Sequence, residues 1–233
     1  MVTLGYTFAI LTAVFFGLQG FFGKTISDQL SPLLATWATF SFSAPFLLLY
    51  LAIDGIPPVS WHAFGWATIS SFIINVFVWF LFFRALKQAP LAHTMPFTAF
   101  TPLFLIPVAF ILIDELPNIP GITGIFLVFV GGYTIHLKSG DFLRPLKRLK
   151  DVTGTRLMLV VAFLWSITAT IEKVAVINSS QAFYGSIIAL MLSLAYLPFI
   201  LKNRQKNMTL IKKHWPQLLL LGLIYGLMLV FQF

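Results

Sequence analysis

The residues able to do chemistry in this chain are few, and most are amides, hydroxyls and indoles set inside long apolar runs. Gln19 lies in the first run, Trp37 in the second, and Asn75 and Trp79 one turn apart in the third. Thr98 and Thr101 stand in the fourth, and Trp165, Ser166 and Thr170 in the sixth. A mid-membrane amide needs a hydrogen-bond partner, supplied by another helix or by a solute. Indole rings offer stacking or cation–π walls. These residues therefore read either as helix-packing contacts or as the lining of a solute pathway.

Charged candidates are rarer: Lys24 after the first run, and Glu172 and Lys173 at the end of the sixth. Snorkelling to the interface accounts for the last two, with a gate or coupling role as the alternative. Adjacent residues diverge on a helix, so these two are not expected to pair with each other. No Asp or Glu occupies the centre of any run. That disfavours exchange of substrate against protons on a buried acid and favours a neutral or zwitterionic solute.

Backbone chemistry adds a further group. Pro96, Pro102 and Pro107 fall in the fourth run, and each removes a backbone donor. The freed carbonyls need neighbours or a wet cavity. The segment reads as a static kink or as a broken, bending helix that lines the pathway. The first run also carries a stripe of small or polar residues, Ala9, Thr12, Ala13, Phe16, Gln19, Gly20 and Gly23. The sixth repeats it with Ala162, Ser166, Ala169, Thr170 and Lys173. Close helix packing explains such stripes; two helices facing each other across a cavity is the functional alternative.

Membrane-spanning helices must position these groups. Of 233 residues, 59% are hydrophobic and 9% charged, and 26 are Phe, with a mean hydropathy of +0.93. Soluble domains carry about a quarter charged residues, so a soluble or disordered chain is excluded. Eight apolar runs lie near 3–23, 32–53, 64–83, 91–113, 119–137, 156–176, 181–201 and 215–233. Unbroken stretches such as 218–229 lack the period of two of a barrel strand. An all-α integral membrane fold of eight transmembrane helices follows. Trp61, Trp66 and Trp215, with Tyr50, Tyr133 and Tyr196, fall near run ends, where aromatic belts sit. Individual phenylalanines carry no signal, and most are expected to face lipid.

The net charge of +8 is an orientation signal. Lys24, Arg84, Lys87, the basic residues of 138–156 and those of 202–213 all follow odd-numbered runs, leaving Lys173 alone on the other side. The positive-inside rule puts those loops in the cytoplasm and the amino terminus outside. The stretch 138–150 mixes leucines with basic residues and reads as an amphipathic segment on an anionic leaflet or as a topology-anchoring loop.

Internal similarity divides the chain. A shift of 149 residues lays Ala13 on Ala162, Phe16 on Trp165, Gly17 on Ser166, Gly20 on Ala169 and Lys24 on Lys173; with a longer loop, Trp61 meets Trp215. An odd number of helices separates equivalent points, so the repeats insert in opposite orientation, as in secondary transporters. The division is a first five-helix repeat at 1–138, a basic linker at 139–155 and a second repeat at 156–233. The second holds three helices and lacks its last two, so the chain reads either as a fragment of a longer protein or as a genuinely reduced one.

The stretch 85–132 is the most specific. Ala85-Leu86-Lys87 closes the third run, Thr101-Pro102-Leu103-Phe104 lies within the fourth, and Asp114-Glu115-Leu116 follows at the loop. Gly121, Gly124 and Gly131-Gly132 then line the fifth. This pattern, with Gly23-Lys24 after the first helix, resembles the EamA-like branch of the drug/metabolite transporter superfamily. The resemblance implies ten helices in two inverted repeats and movement of small metabolites. It also implies a cytoplasmic amino terminus, against the loop charges, and a glycine where Asp114 stands.

The expected function is secondary, non-ATP transport of small metabolites by alternating access: efflux of amino-acid-like or other small polar or amphipathic solutes across the plasma or inner membrane. A non-transporting scaffold or receptor, or an integral-membrane enzyme, is the alternative. His62, His93, His136 and His214 stand singly, no catalytic motif or phosphate loop is present, and there are no cysteines. No metal, cofactor or nucleic-acid partner is expected; the partners are the bilayer and the solute.

Overall fold

The computed structural model describes residues 2–134 and 152–232, and no strand occurs among them. Among these described residues seven helices are long and apolar enough to cross a membrane, and a further apolar helix is shorter. In chain order they begin with α1 (Val2–Gln29), α2 (Pro32–Asp54) and α3 (Trp61–Gln88). The fourth span is segmented into α4 (Leu91–Thr94), a 3-10 stretch (Met95–Phe100) and α5 (Thr101–Ile113). Then come the short α6 (Ile119–Thr134), α7 (Thr153–Ile177), α8 (Gln181–Lys202) and α9 (Arg204–Phe231). The amphipathic stretch 138–150 lies outside the described residues.

Several helices outrun their apolar runs. α1 continues through Lys24 to Gln29, α3 through Arg84 to Gln88, and the first three turns of α9 are the basic stretch read from sequence as a loop. Lysine, arginine and glutamine are good helix formers. A span therefore ends where hydropathy falls, while its helix runs on into the interface.

The segmentation of the fourth span follows its prolines. Pro96 and Pro102 each sit in the first turn of a new segment, where a missing donor costs nothing. Thr155 Oγ1 of α7 donates to the His93 carbonyl in the turn before Pro96 at 3.2 Å, while Thr94 and Thr98 back-bond to the Leu91 and Met95 carbonyls of their own turns at 3.2 and 2.7 Å. Asp114 ends α5 at φ +54°, the left-handed cap that glycine adopts most readily. A short polar side chain that can hydrogen-bond locally tolerates this conformation better than most, which is how Asp fills a glycine position.

Packing centres on α2, α3, α7, α8 and α9. α3 lies along α7, α1 along α9, and α2 between α8 and α9; α5 rests on α7, and α6 on the 3-10 stretch. Phe40, Phe64, Phe82, Phe83 and Phe97 are buried, so many phenylalanines build the core and do not face lipid. Tyr196 is also buried, with its hydroxyl donating to the Val76 carbonyl across helices, and is not part of a belt. Trp61, Trp66 and Trp215 are exposed, as a belt requires.

Small residues set the closest approaches. A Cβ on Gly222 would fall 2.6 Å from the backbone of Phe42 in α2, and one on Gly132 would fall 2.5 Å from Ala99 Cβ in the 3-10 stretch. Gly132 is thus what lets α6 dock on the broken span. Gly17, in contrast, has open space around it. Gly222→Ala should lower the thermal midpoint of the detergent-purified protein, a loss of roughly 1–3 kcal/mol from overpacking. Gly17→Ala should leave it unchanged or raise it slightly, by up to about 1 kcal/mol of helix propensity.

Candidate functional site

A cavity of about 390 Å3 lies among α1, α3, the fourth span, α7, α8 and α9. The small-residue stripe of α1 divides along its length. Ala9, Thr12, Ala13 and Phe16 line the cavity, while Gly20 and Gly23 pack on Met95 and Leu86. The opposite face of α1 (Tyr6, Ile10, Val14, Phe21) is exposed, as lipid contact requires.

Aromatic rings form one wall. Trp79 meets Trp165 at 5.6 Å and Tyr225 at 5.1 Å between centroids, both edge to face, and Phe16 meets Trp165 at 5.8 Å. Phe40 backs both Trp79 and Tyr225. Such edge-to-face contacts lock the rings beyond what burial alone would do. Thr98, Thr101 and Pro102 come from the segmented span, and the Thr101 hydroxyl has no protein partner.

The polar wall is built on Glu172. Asn75 Nδ2 donates to Glu172 Oε1 at 2.8 Å, and the Tyr184 hydroxyl is bonded to Ser71 at 2.8 Å. Glu172 therefore faces the cavity opposite the middle of α3 and does not snorkel to the interface. A carboxylate thus lines the cavity, although none occupies the centre of a run. α7 is tilted and packed so that a residue near its end meets the centre of α3, a relation hydropathy along one helix does not contain. Lys173, one position on, diverges as expected and pairs with Glu115; both are substantially exposed.

Other candidates fall elsewhere. Gln19 is fully buried, does not line the cavity, and its amide has no protein partner. Ser166 and Thr170 bond their own helix, to the Phe163 and Ser166 carbonyls, and are buried in packing. Trp37 lies against Phe42, away from the cavity. Pro96 and Pro107 do not line it. Lys24 lies at the far end of α1, donating to Asp28 at 2.6 Å and to the Leu86 carbonyl at 2.8 Å. Tyr184, Thr168, Tyr225 and Gln232 line the cavity without having been singled out from sequence. Their only signal was position: each falls in a run that the repeat offset pairs with one already suspected. No metal-holding cluster occurs among the described residues.

A bundle of membrane-length helices around a polar-and-aromatic cavity defines a polytopic membrane protein with an internal cavity. The sequence profile of the EamA-like transporter family matches residues 3–137, more than half of the chain. The chain belongs to the EamA-like transporter family, a family of multi-pass membrane transporters of small solutes. No curated protein sequence matches it. A solved chain, described only as a crystal structure of a protein, aligns with 98% of this chain and 78% of its own length, at TM-score 0.56 and 15% identity. That likeness concerns the fold.

The cysteine-free sequence makes accessibility mapping clean. Thr98→Cys and Ala169→Cys, on the cavity wall, should react with a small water-soluble thiol reagent in detergent. Ser166→Cys and Thr170→Cys should remain unmodified until the protein is denatured, as mass spectrometry will read.

Proposed function

We propose that this chain is a secondary transporter that carries small metabolites by alternating access, in the direction of efflux. The observation that carries the reading is a solute-sized cavity bounded by helices from both halves of the chain, with lysine braces between helices beyond one end. At that end Lys24 donates to the Leu86 carbonyl and Lys87 to the Leu30 carbonyl, each at 2.8 Å. The two lysines cap the last carbonyls of α3 and α1 and tie the helices together. At the other end the cavity reaches Gln232, near the end of α9, beside the Phe231 ring held between Phe8 and Phe15.

The division into two inverted repeats, 1–138 and 156–233 joined by a basic linker, is part of this proposal. Exchanging α1 with α7, α2 with α8 and α3 with α9 converts the α1–α9 contact into the α7–α3 contact and leaves α2–α8 in place. That pairing supports rocking of one half on the other around a central site. On loop charge the lysine-braced end is cytoplasmic and the amino terminus lies outside. Opening the cytoplasmic end requires release of the Lys24 and Lys87 braces.

Proteoliposomes of the full chain should show counterflow of at least one solute from a panel of amino acids, nucleosides, sugars and small amines. No flux above empty vesicles across the panel would sink the transporter reading. A tag at Met1 should be reached by an impermeant antibody on intact cells. Access only after permeabilisation would reverse the orientation.

A further inference from the structure

We propose that the cavity takes an organic monocation, an amine or quaternary ammonium head on a compact apolar body, with Glu172 as its counter-charge. The inference rests on the transport reading for its biological use and names the substrate class of that same site.

Charge balance carries it first. Glu172 is the one carboxylate on the cavity wall, and no Lys, Arg or His lines that wall among the described residues. The adjacent Lys173 is occupied by Glu115. An intramembrane carboxylate without a cationic partner is expensive. Asn75 donates to it at 2.8 Å and the Tyr184 hydroxyl also hydrogen-bonds it; both partners are neutral and leave the group's charge uncompensated. A bound cation supplies the missing charge.

The rest of the wall selects the kind of cation. A metal ion or a strongly hydrated inorganic ion needs several oxygen ligands, and no metal-holding cluster occurs among the described residues. Trp79, Trp165, Tyr225 and Phe16 instead present ring faces and edges around the cavity, the surface that attracts a weakly hydrated alkylammonium. Ile188, Leu192 and Met228 complete an apolar side for the body of the molecule. A volume of about 390 Å3 lies within the range of small-molecule sites. Carboxylate, aromatic wall and apolar floor together reject anions by repulsion and give neutral analogues no compensation for displacing water from Glu172.

The test uses three probes with one benzyl or phenyl body: benzyltrimethylammonium, benzyl alcohol and benzenesulfonate. Their binding to the full chain in a non-ionic maltoside is followed by isothermal calorimetry. Benzyltrimethylammonium should bind at least ~10-fold more tightly than the other two, the loss expected when a buried charge finds no partner. Glu172→Gln should abolish that preference, Glu172→Asp should retain part of it, and Trp165→Leu should weaken the cation alone. Equal binding of the three probes to the natural chain would overturn the inference, even if Glu172→Gln does not fold. So would an unchanged preference in a folded Glu172→Gln. Counterflow keeps the two ideas apart. Flux of a neutral solute with no cation preference removes the substrate class and leaves the transporter. Selective cation binding with no flux of any solute removes the transporter and leaves the site.

Discussion

In hydrocarbon every backbone donor and acceptor has to find its partner within the protein, because no water is present to substitute. This constraint produces the long, uninterrupted helices, and it also decides what happens where a helix is interrupted. Pro96 and Pro102 open new segments of the fourth span, Pro107 sits inside α5, and Thr155 of α7 donates to the His93 carbonyl ahead of Pro96. Gly132 brings α6 onto the 3-10 stretch at a distance no side chain would allow. Lys24 and Lys87 do the same work at helix ends, each donating to a terminal carbonyl of the other helix. Polar side chains in this protein therefore serve the backbone first, and only a few remain for a solute.

Those few converge on one place. Along α7 the residues alternate between packing and cavity: Ser166 and Thr170 fold back on their own carbonyls, while Trp165, Ala169 and Glu172 face inward. α1 divides by length, small cavity-lining residues in its first half and glycines packed on Met95 and Leu86 in its second. The same residue types thus do structural work at one depth and line the cavity at another. Rigid aromatic contacts around Trp79 hold the wall in shape, so the cavity persists between closely packed helices.

Much of the fold was legible in the residues. Apolar runs of membrane length gave the spans, and proline spacing marked the broken one. Asn75, Trp79, Thr98, Thr101 and Trp165 were suspected as cavity residues and do line the cavity. Gln19 and Trp37 were suspected on the same grounds and do not. A polar residue in mid-helix says that a partner is required, without saying whether a neighbouring helix or the cavity lies beside it. Tyr184 and Tyr225 escaped notice because tyrosine in a span usually marks an interface, and here their helices carry them inward.

Composition and pattern alone determined that the chain lives in a bilayer, that it is helical, where its spans lie and which loops carry the basic charge. These are one-dimensional properties, fixed by the transfer energies of side chains and by the demand for internal hydrogen bonds. Tertiary structure alone decided that Glu172 faces a cavity. Depth and direction of a side chain depend on the tilt and rotation of its helix, which packing against neighbours sets. A carboxylate five residues from the end of α7 reads as an interfacial anchor until α3 lies across it and presents Asn75. The sequence contained the charge, and the crossing of two helices placed it inside the cavity.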